Sequence, residues 1–306
     1  MQFARGNLRY KGDIFGYESE WSMAKQQYEV LGEKNIDMQG EWSFPNYPTD
    51  LLCWSTSNNY YGVSTYYMWE ENEIVNAFKG DFVDWGENPI LISQLGAGWS
   101  TLSKDEWNYL LNERENAAQL QSFATIAIDE ENQVKGLILL PDEWNAPDGV
   151  MLSDEMTTEL WATIEQTGAV FLPVTGHLWS WKDEQGRDQT SVNGLDVIGN
   201  YWTSTPSAEE SGDFACALNF NTEVDPNAEL ERRLGCAVRL VKEIPVIKGD
   251  ANGDSVVNAV DIVYVVAFVK DGTRLPGFNE RAANADGNDK VDENDILAIK
   301  NIIMTP

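Results

Sequence analysis

One oxygen-rich twelve-residue loop occurs twice near the C-terminal end of the chain, and it constrains the fold more than any other feature. The first copy lies in GDANGDSVVNAVDI and the second in NADGNDKVDENDI. In the first, Asp250, Asn252, Asp254, Asn258 and Asp261 occupy positions 1, 3, 5, 9 and 12, and the carbonyl of Val256 supplies position 7. In the second, Asn284, Asp286, Asn288, Asp292 and Asp295 fall at the same offsets, with the carbonyl of Lys290 at position 7. Alternate residues of a tight loop point inward, so hard oxygen donors converge on one point. A calcium ion, with its six to eight oxygen ligands, requires this arrangement. Two Ca2+ ions, one per loop, are the expectation.

Each loop opens into an apolar run, IVYVVAFV after Asp261 and ILAIKNII after Asp295. A loop feeding one helix, duplicated, is half an EF-hand repeated, with Asp at position 12 where the EF-hand has a bidentate Glu. Over residues 249–306, including Ile262 and Ile296 after the final Asp of each loop, the chain resembles the type I dockerin. That resemblance implies a small all-α calcium-binding module that docks to a cohesin-bearing partner. Two departures stand out. Asn284 and Asn288 remove formal charges at positions 1 and 5 of the second loop, and Asp286 restores one, so the first loop is expected to bind more tightly. The residues that dockerins often use to read their partner are here Ala259–Val260 and Glu293–Asn294, not Ser-Thr pairs. The halves differ, so two equivalent docking modes are not expected.

The 306 residues leave room for about two domains. A net charge of −29 argues against nucleic acid, whose phosphates demand a basic face, and against anionic membranes. No stretch approaches the roughly 18 apolar residues of a membrane span, so no membrane insertion is expected. MQFARGNLRY lacks the apolar core of a signal peptide. The calcium loops nevertheless favour a secreted or cell-surface setting, where free calcium is high. Cys53 reads as a buried thiol, while a bridge between Cys216 and Cys236 stays open.

Before the loops, two helices are readable. Ser103 and Glu106 in SKDEWNYL form a capping box, with Trp107, Leu110 and Leu111 on the apolar face. A second runs over about 158–167, with Leu160, Trp161 and Ile164 inward and Gly168 as its stop. VKGLILLP and GAVFLPVTG read as strands, and GDFACALNF with GCAVRLVKE reads as a strand pair around an acidic connecting loop. Two helices among short antiparallel strands predict an α+β domain. The strings FARGNLRY, LLCWSTSNNYYG, WGENPI, GWSTLSKDEWNYLLNER, GLILLPDEW, IEQTGAVFLPVTG, GNYWTSTP and GCAVRLVKE, in this order, resemble secreted Bacteroidetes proteins of the Fibrobacter succinogenes major paralogous domain type. The resemblance implies a C-type-lectin-like fold over 1–244, joined by a short linker at 245–248, where Pro245 marks the break, to the dockerin at 249–306.

Chemistry is less legible in this domain. His177 is the only histidine, which excludes multi-histidine zinc centres and leaves one base for a Ser-His-Asp triad. No GxSxG, GxGxxG or Walker loop occurs. The formylglycine-generating relatives of this fold use two neighbouring cysteines, whereas Cys216 and Cys236 bracket a loop. Among 50 Asp and Glu residues some hydrolase-like pair arises by chance, and neither Asp142–Glu143 nor Glu87 has a sharper claim than the rest. EPN, QPD and WND, the marks of a calcium–sugar site in this fold, are absent. Trp179 and Trp181, and more weakly Trp202, are the candidate ligand-binding residues for a glycan or a surface-protein ligand. The expected function is extracellular, non-catalytic recognition or adhesion. The alternatives are a dockerin-borne polysaccharide-active enzyme working through a carboxylate pair, and a structural surface protein that binds a protein.

Overall fold

The computed structural model describes the chain except residues 13–18, 39–47, 64–76, 143, 244–245, 276, 289 and 306, and the side chains at 182 and 188. Glu143, Ile244 and Pro245 therefore lie outside the described residues. The contacts divide the chain into two compact units, Met1–Glu243 and Ile244–Pro306. Strands and helices together make the protein α+β.

In the first unit the strands are β1 (Gln2–Phe3), β2 (Leu8–Lys11), β3 (Glu20–Met23), β4 (Trp99–Thr101), β5 (Gln121–Ala127), β6 (Gln133–Leu139) and β7 (Glu155–Thr157). They continue with β8 (Val170–Pro173), β9 (His177–Lys182), β10 (Asp188–Asn193), β11 (Gly199–Pro206), β12 (Phe214–Phe220), β13 (Val224–Glu231) and β14 (Leu240–Lys242). The largest sheet runs β7-β5-β6-β8 and is antiparallel except for the β5–β7 pair. A second sheet runs β11-β12-β13, and β9–β10 forms a two-stranded ribbon. In the sheet β1-β14-β4 the first strand pairs with the last, Gln2 opposite Lys242 and Phe3 opposite Val241.

Among the described residues three α-helices accompany them: α1 (Pro89–Leu95), α2 (Lys104–Asn108) and α3 (Thr158–Glu165). The expected capping box starts α2, with Ser103 Oγ accepting from the Glu106 amide at 3.2 Å and Glu106 accepting from the Ser103 amide at 2.8 Å. Helix α3 is capped by Thr157 and buries Trp161 and Ile164, as their spacing requires. Helix α1 was not foreseen. Its signal was Asn88 as N-cap followed by Pro89 at the first helical position, a start that Pro tolerates.

The expected strand pair is corrected. β12 lies between β11 and β13, so the segment read as an acidic connecting loop is itself a strand. Its Asp225, Asn227 and Glu229 stand on the exposed side, which is why it looked like a loop. The GCAVRLVKE segment instead splits its pairing: Cys236 bridges Leu52, and β14 joins β1 and β4.

Tryptophan fills the interior. Trp21, Trp54, Trp85, Trp107, Trp161 and Trp202 are among the largest fully buried side chains. Buried indole N–H groups need acceptors. Trp54 Nε1 donates to the Thr203 carbonyl at 2.8 Å and Trp202 Nε1 to the Leu52 carbonyl at 2.7 Å, tying β11 to the segment around Leu52. Arg239 is a second tie. Its buried guanidinium donates to Asn7 Oδ1 at 3.0 Å and the Phe171 carbonyl at 3.1 Å, and burial pulls its pKa down to about 10. Gly62 adopts φ +73° and passes so close to Cys53 that a Cβ would lie 1.9 Å from the Cys53 carbonyl oxygen.

The second unit holds α4 (Ala259–Asp271), α5 (Glu280–Ala283) and α6 (Glu293–Met304). Gly272, at φ +77°, closes α4 in the left-handed conformation that terminates helices. Ala251, Val265, Ala283, Ala285 and Ile299 form its buried core, with Val257, Ile262, Tyr264 and Ile296 packed around them.

Candidate metal centre and ligand face

The two loops share one hydrogen-bond plan. In the first, the position-12 carboxylate of Asp261 accepts from the amide of Asn252 at 3.0 Å through Oδ1 and from that of Asn258 at 2.8 Å through Oδ2. In the second, Asp295 accepts from Asp286 at 2.9 Å and from Asp292 at 2.7 Å through the same two oxygens. Both carboxylates are fully buried. Both also sit at the third position of the following helix, so each completes a capping box, with Asn258 for α4 and Asp292 for α6. Position 5 repeats as well: Asp254 and Asn288 each accept the amide of position 7 at 2.8 Å.

Position 1 breaks the symmetry. Asp250 accepts from the amides of Asp254 at 3.1 Å and Ser255 at 2.9 Å, so its carboxylate turns into the loop. Asn284 accepts from Gly287 at 2.9 Å and donates its amide to the Asn288 carbonyl. At the six ligand positions each loop carries three carboxylates, so there the loops differ in where the charge sits rather than in how much there is. In the second loop Asp292 also pairs with Lys290 Nζ at 3.5 Å, and the Asn294 amide, with Lys290 beside it, holds its carboxyl below the usual range.

Position 6 of the first loop went unread. Ser255 adopts φ +69° there, where EF-hand loops place an invariant Gly for the sharp turn. A serine at that offset was visible in the sequence. Among the described residues no group of three or more His, Cys, Asp or Glu side chains is gathered as a metal cluster. The loops' donor sets consist of Asp, Asn and a main-chain carbonyl, oxygen throughout, and that chemistry fits a hard divalent cation. Asp250, Asn252, Asp254, Asp261 and the Val256 carbonyl would hold one ion, and their counterparts in the second loop the other.

The tryptophan candidates separate sharply. Trp202 is 1% exposed with both its ring and its N–H committed to the core, so it is corrected to a structural residue. Trp181, on β9, is 37% exposed. Trp179 lies between these extremes: it packs against the core, and the Arg233 guanidinium sits 4.5 Å from its ring centroid. Glu231 accepts from Arg233 Nε at 2.5 Å, a pairing that the sequence did not announce.

The catalytic candidates each have local partners of their own. His177 is half-buried, burial lowers its pKa, and Asn200 Nδ2 lies 3.4 Å from its Nδ1. A carboxamide stands where a Ser-His-Asp triad would place an orienting acid. Asp142 pairs with Arg114 at 3.0 Å. Glu87 ends a short turn that starts at Trp85 and is capped by Asp84. Cys53, Cys216 and Cys236 are free, buried thiols, and desolvation raises all three pKa values away from the reactive thiolate. No helix among the described residues is long and apolar enough to cross a membrane. In comparisons with known proteins, no family model, no curated protein and no solved structure matches the chain.

Proposed function

We propose that the chain is an extracellular, non-catalytic recognition protein in two parts. Unit 2 is a dockerin-like module that binds two calcium ions and, once loaded, docks to a cohesin-bearing partner. Unit 1, read as C-type-lectin-like, carries the ligand face that the docked assembly displays.

The repeated position-12 geometry carries this reading. A buried carboxylate that accepts two loop amides and also caps the next helix occurs twice, in register. Each such carboxylate is fully desolvated, and a buried anion calls for a counter-charge beyond amide hydrogens. A divalent cation at the loop centre supplies it. Exposed Val260 and Val263 on α4 and Leu297 on α6 fit docking surfaces that differ between the halves.

The test is hydrogen exchange of the whole chain with calcium and with a chelator, alongside capture on a panel of immobilised cohesins. Two ions taken up per chain, exchange slowed by calcium only after about residue 248, and capture only with calcium present are the expected results. Calcium uptake absent, or exchange loosened equally in both units by the chelator, would sink the reading.

A further inference from the structure

The β9–β10 ribbon has two unlike faces. Antiparallel partners point to the same side. Leu178 opposite Val192 and Ser180 opposite Thr190 therefore share one face, and it turns inward: Leu178, Val192 and Ser180 are buried. The other face pairs His177 with Asn193, Trp179 with Ser191 and Trp181 with Gln189. Along β9 its exposure rises from half-buried His177 and Trp179 to exposed Trp181.

The polar groups on that outer face are held in place. Gln189 Nε2 donates to Asp183 Oδ2 at 3.2 Å, and the same carboxylate anchors Arg187 Nε at 2.8 Å, closing the ribbon's turn. Ser191 Oγ donates to Asn193 Oδ1 at 2.8 Å. Trp179 is fixed beneath Arg233, whose charge Glu231 balances. Trp181 is thus an exposed ring two residues along the strand, about 7 Å of backbone, from the packed Trp179, flanked by an amide and a hydroxyl already in position. Groups ordered before binding lose little freedom when a ligand arrives.

We propose that this face binds an uncharged saccharide, with Trp181 as its stacking platform, Gln189 and Ser191 as hydroxyl-binding groups, and Trp179 as a positioning residue. Three observations favour this occupant. None of the six outer-face side chains is Asp, Glu, Lys or Arg, and the charged groups beside them are paired with one another, Arg187 with Asp183 and Arg233 with Glu231, which favours an uncharged ligand. An indole offers an apolar face with polar neighbours at its edge, which matches the C–H face and peripheral hydroxyls of a sugar ring. The size also fits. Two six-residue strands present a face of roughly 20 by 10 Å, on the order of 200 Å². A stable protein interface needs about 800 Å² per partner, so a protein would have to gain most of its contact elsewhere.

This inference rests on reading unit 1 as the recognition part, but it makes no use of the calcium loops. The experiment is affinity electrophoresis of the whole chain through gels containing a β-glucan, a galactomannan, a xylan or polygalacturonate, with and without chelator. The wild type should be retarded by at least one of the three neutral polymers, equally with and without chelator, and by polygalacturonate not at all. Trp181→Ala should weaken retention about tenfold or more while leaving the melting temperature and calcium uptake unchanged. Gln189→Ala should weaken it less. No retardation by any neutral polymer, retardation that survives Trp181→Ala, or capture of a protein ligand that Trp181→Ala abolishes while all polymers are silent would each overturn the proposal. Calcium uptake in the same samples separates the outcomes: a loaded chain that ignores every polymer refutes the saccharide face alone.

Discussion

Unit 1 buries six tryptophans almost completely and ties Trp54, Trp85 and Trp202 through their indole N–H groups, whereas the buried core cluster of unit 2 has five residues, three of them alanine. Burying an alanine methyl gains about 0.8 kcal/mol, against 1.5–3 kcal/mol for a large apolar side chain. A domain of about sixty residues is marginal even with a good core. In unit 2 the loops add what the core lacks, since their carboxylates organise the backbone through amide hydrogen bonds. Under the proposed function, an ion bound there would contribute folding free energy. One unit is held by packed rings and the other by converging oxygens, so they should fail under different insults.

The sharpest way to break this contrast is Trp202→Ala. Losing a fully buried indole and its bond to the Leu52 carbonyl should cost unit 1 about 3–5 kcal/mol. Calorimetry should show the unit 1 transition falling by many degrees while the calcium-dependent transition of unit 2 stays in place. Movement of both would mean that the units do not answer separately. A smaller change should act on unit 2 alone. Ser255 holds φ +69°, a region that costs a non-glycine residue on the order of 1 kcal/mol. Ser255→Gly should therefore strengthen calcium binding at the first loop by about 1 kcal/mol, read by calorimetric titration, and leave unit 1 unmoved.

The smallest effect concerns acid. Burial depresses the pKa of His177 below its ordinary value of about 6.5, so the unfolded chain takes up this proton at a higher pH than the folded one. The stability contributed by neutral His177 is complete above about pH 6.5 and is lost as pH falls from there toward the folded-state pKa. The melting temperature of unit 1 should decline across that window in the wild type and less steeply in His177→Gln.

What the sequence disclosed follows the same division. The repeated loop pattern was legible because each copy obeys a local spacing rule, and the capping boxes at Asn258–Asp261 and Asp292–Asp295 are consequences of that spacing. The helix over Thr158–Glu165 was legible for a similar reason, since its cap and apolar face lie within one short window. Strand partners were not. β13 alternates Val224, Pro226, Ala228 and Leu230 with polar residues, a pattern too weakly apolar to stand out, and its neighbour is fixed by distant packing. Local sequence ranked Trp202 below Trp181 as a ligand residue but did not remove it from the candidates. Both sit beside polar residues in short strands, and only the Leu52 carbonyl, 150 positions from Trp202, decides which ring is enclosed.

The pairing of β1 with β14 sets a schedule for biosynthesis. Phe3 has no strand to join until Val241 has been made. At roughly 5–20 residues per second, that delay is on the order of tens of seconds. Until then β1 lacks its partner and Arg239, which fastens the chain near Asn7, does not yet exist. A ribosome that stalls anywhere before β14 leaves unit 1 open at its first strand, however much of its middle has already folded. The loops that follow each span a dozen residues, so their hydrogen bonds need no such distant partner.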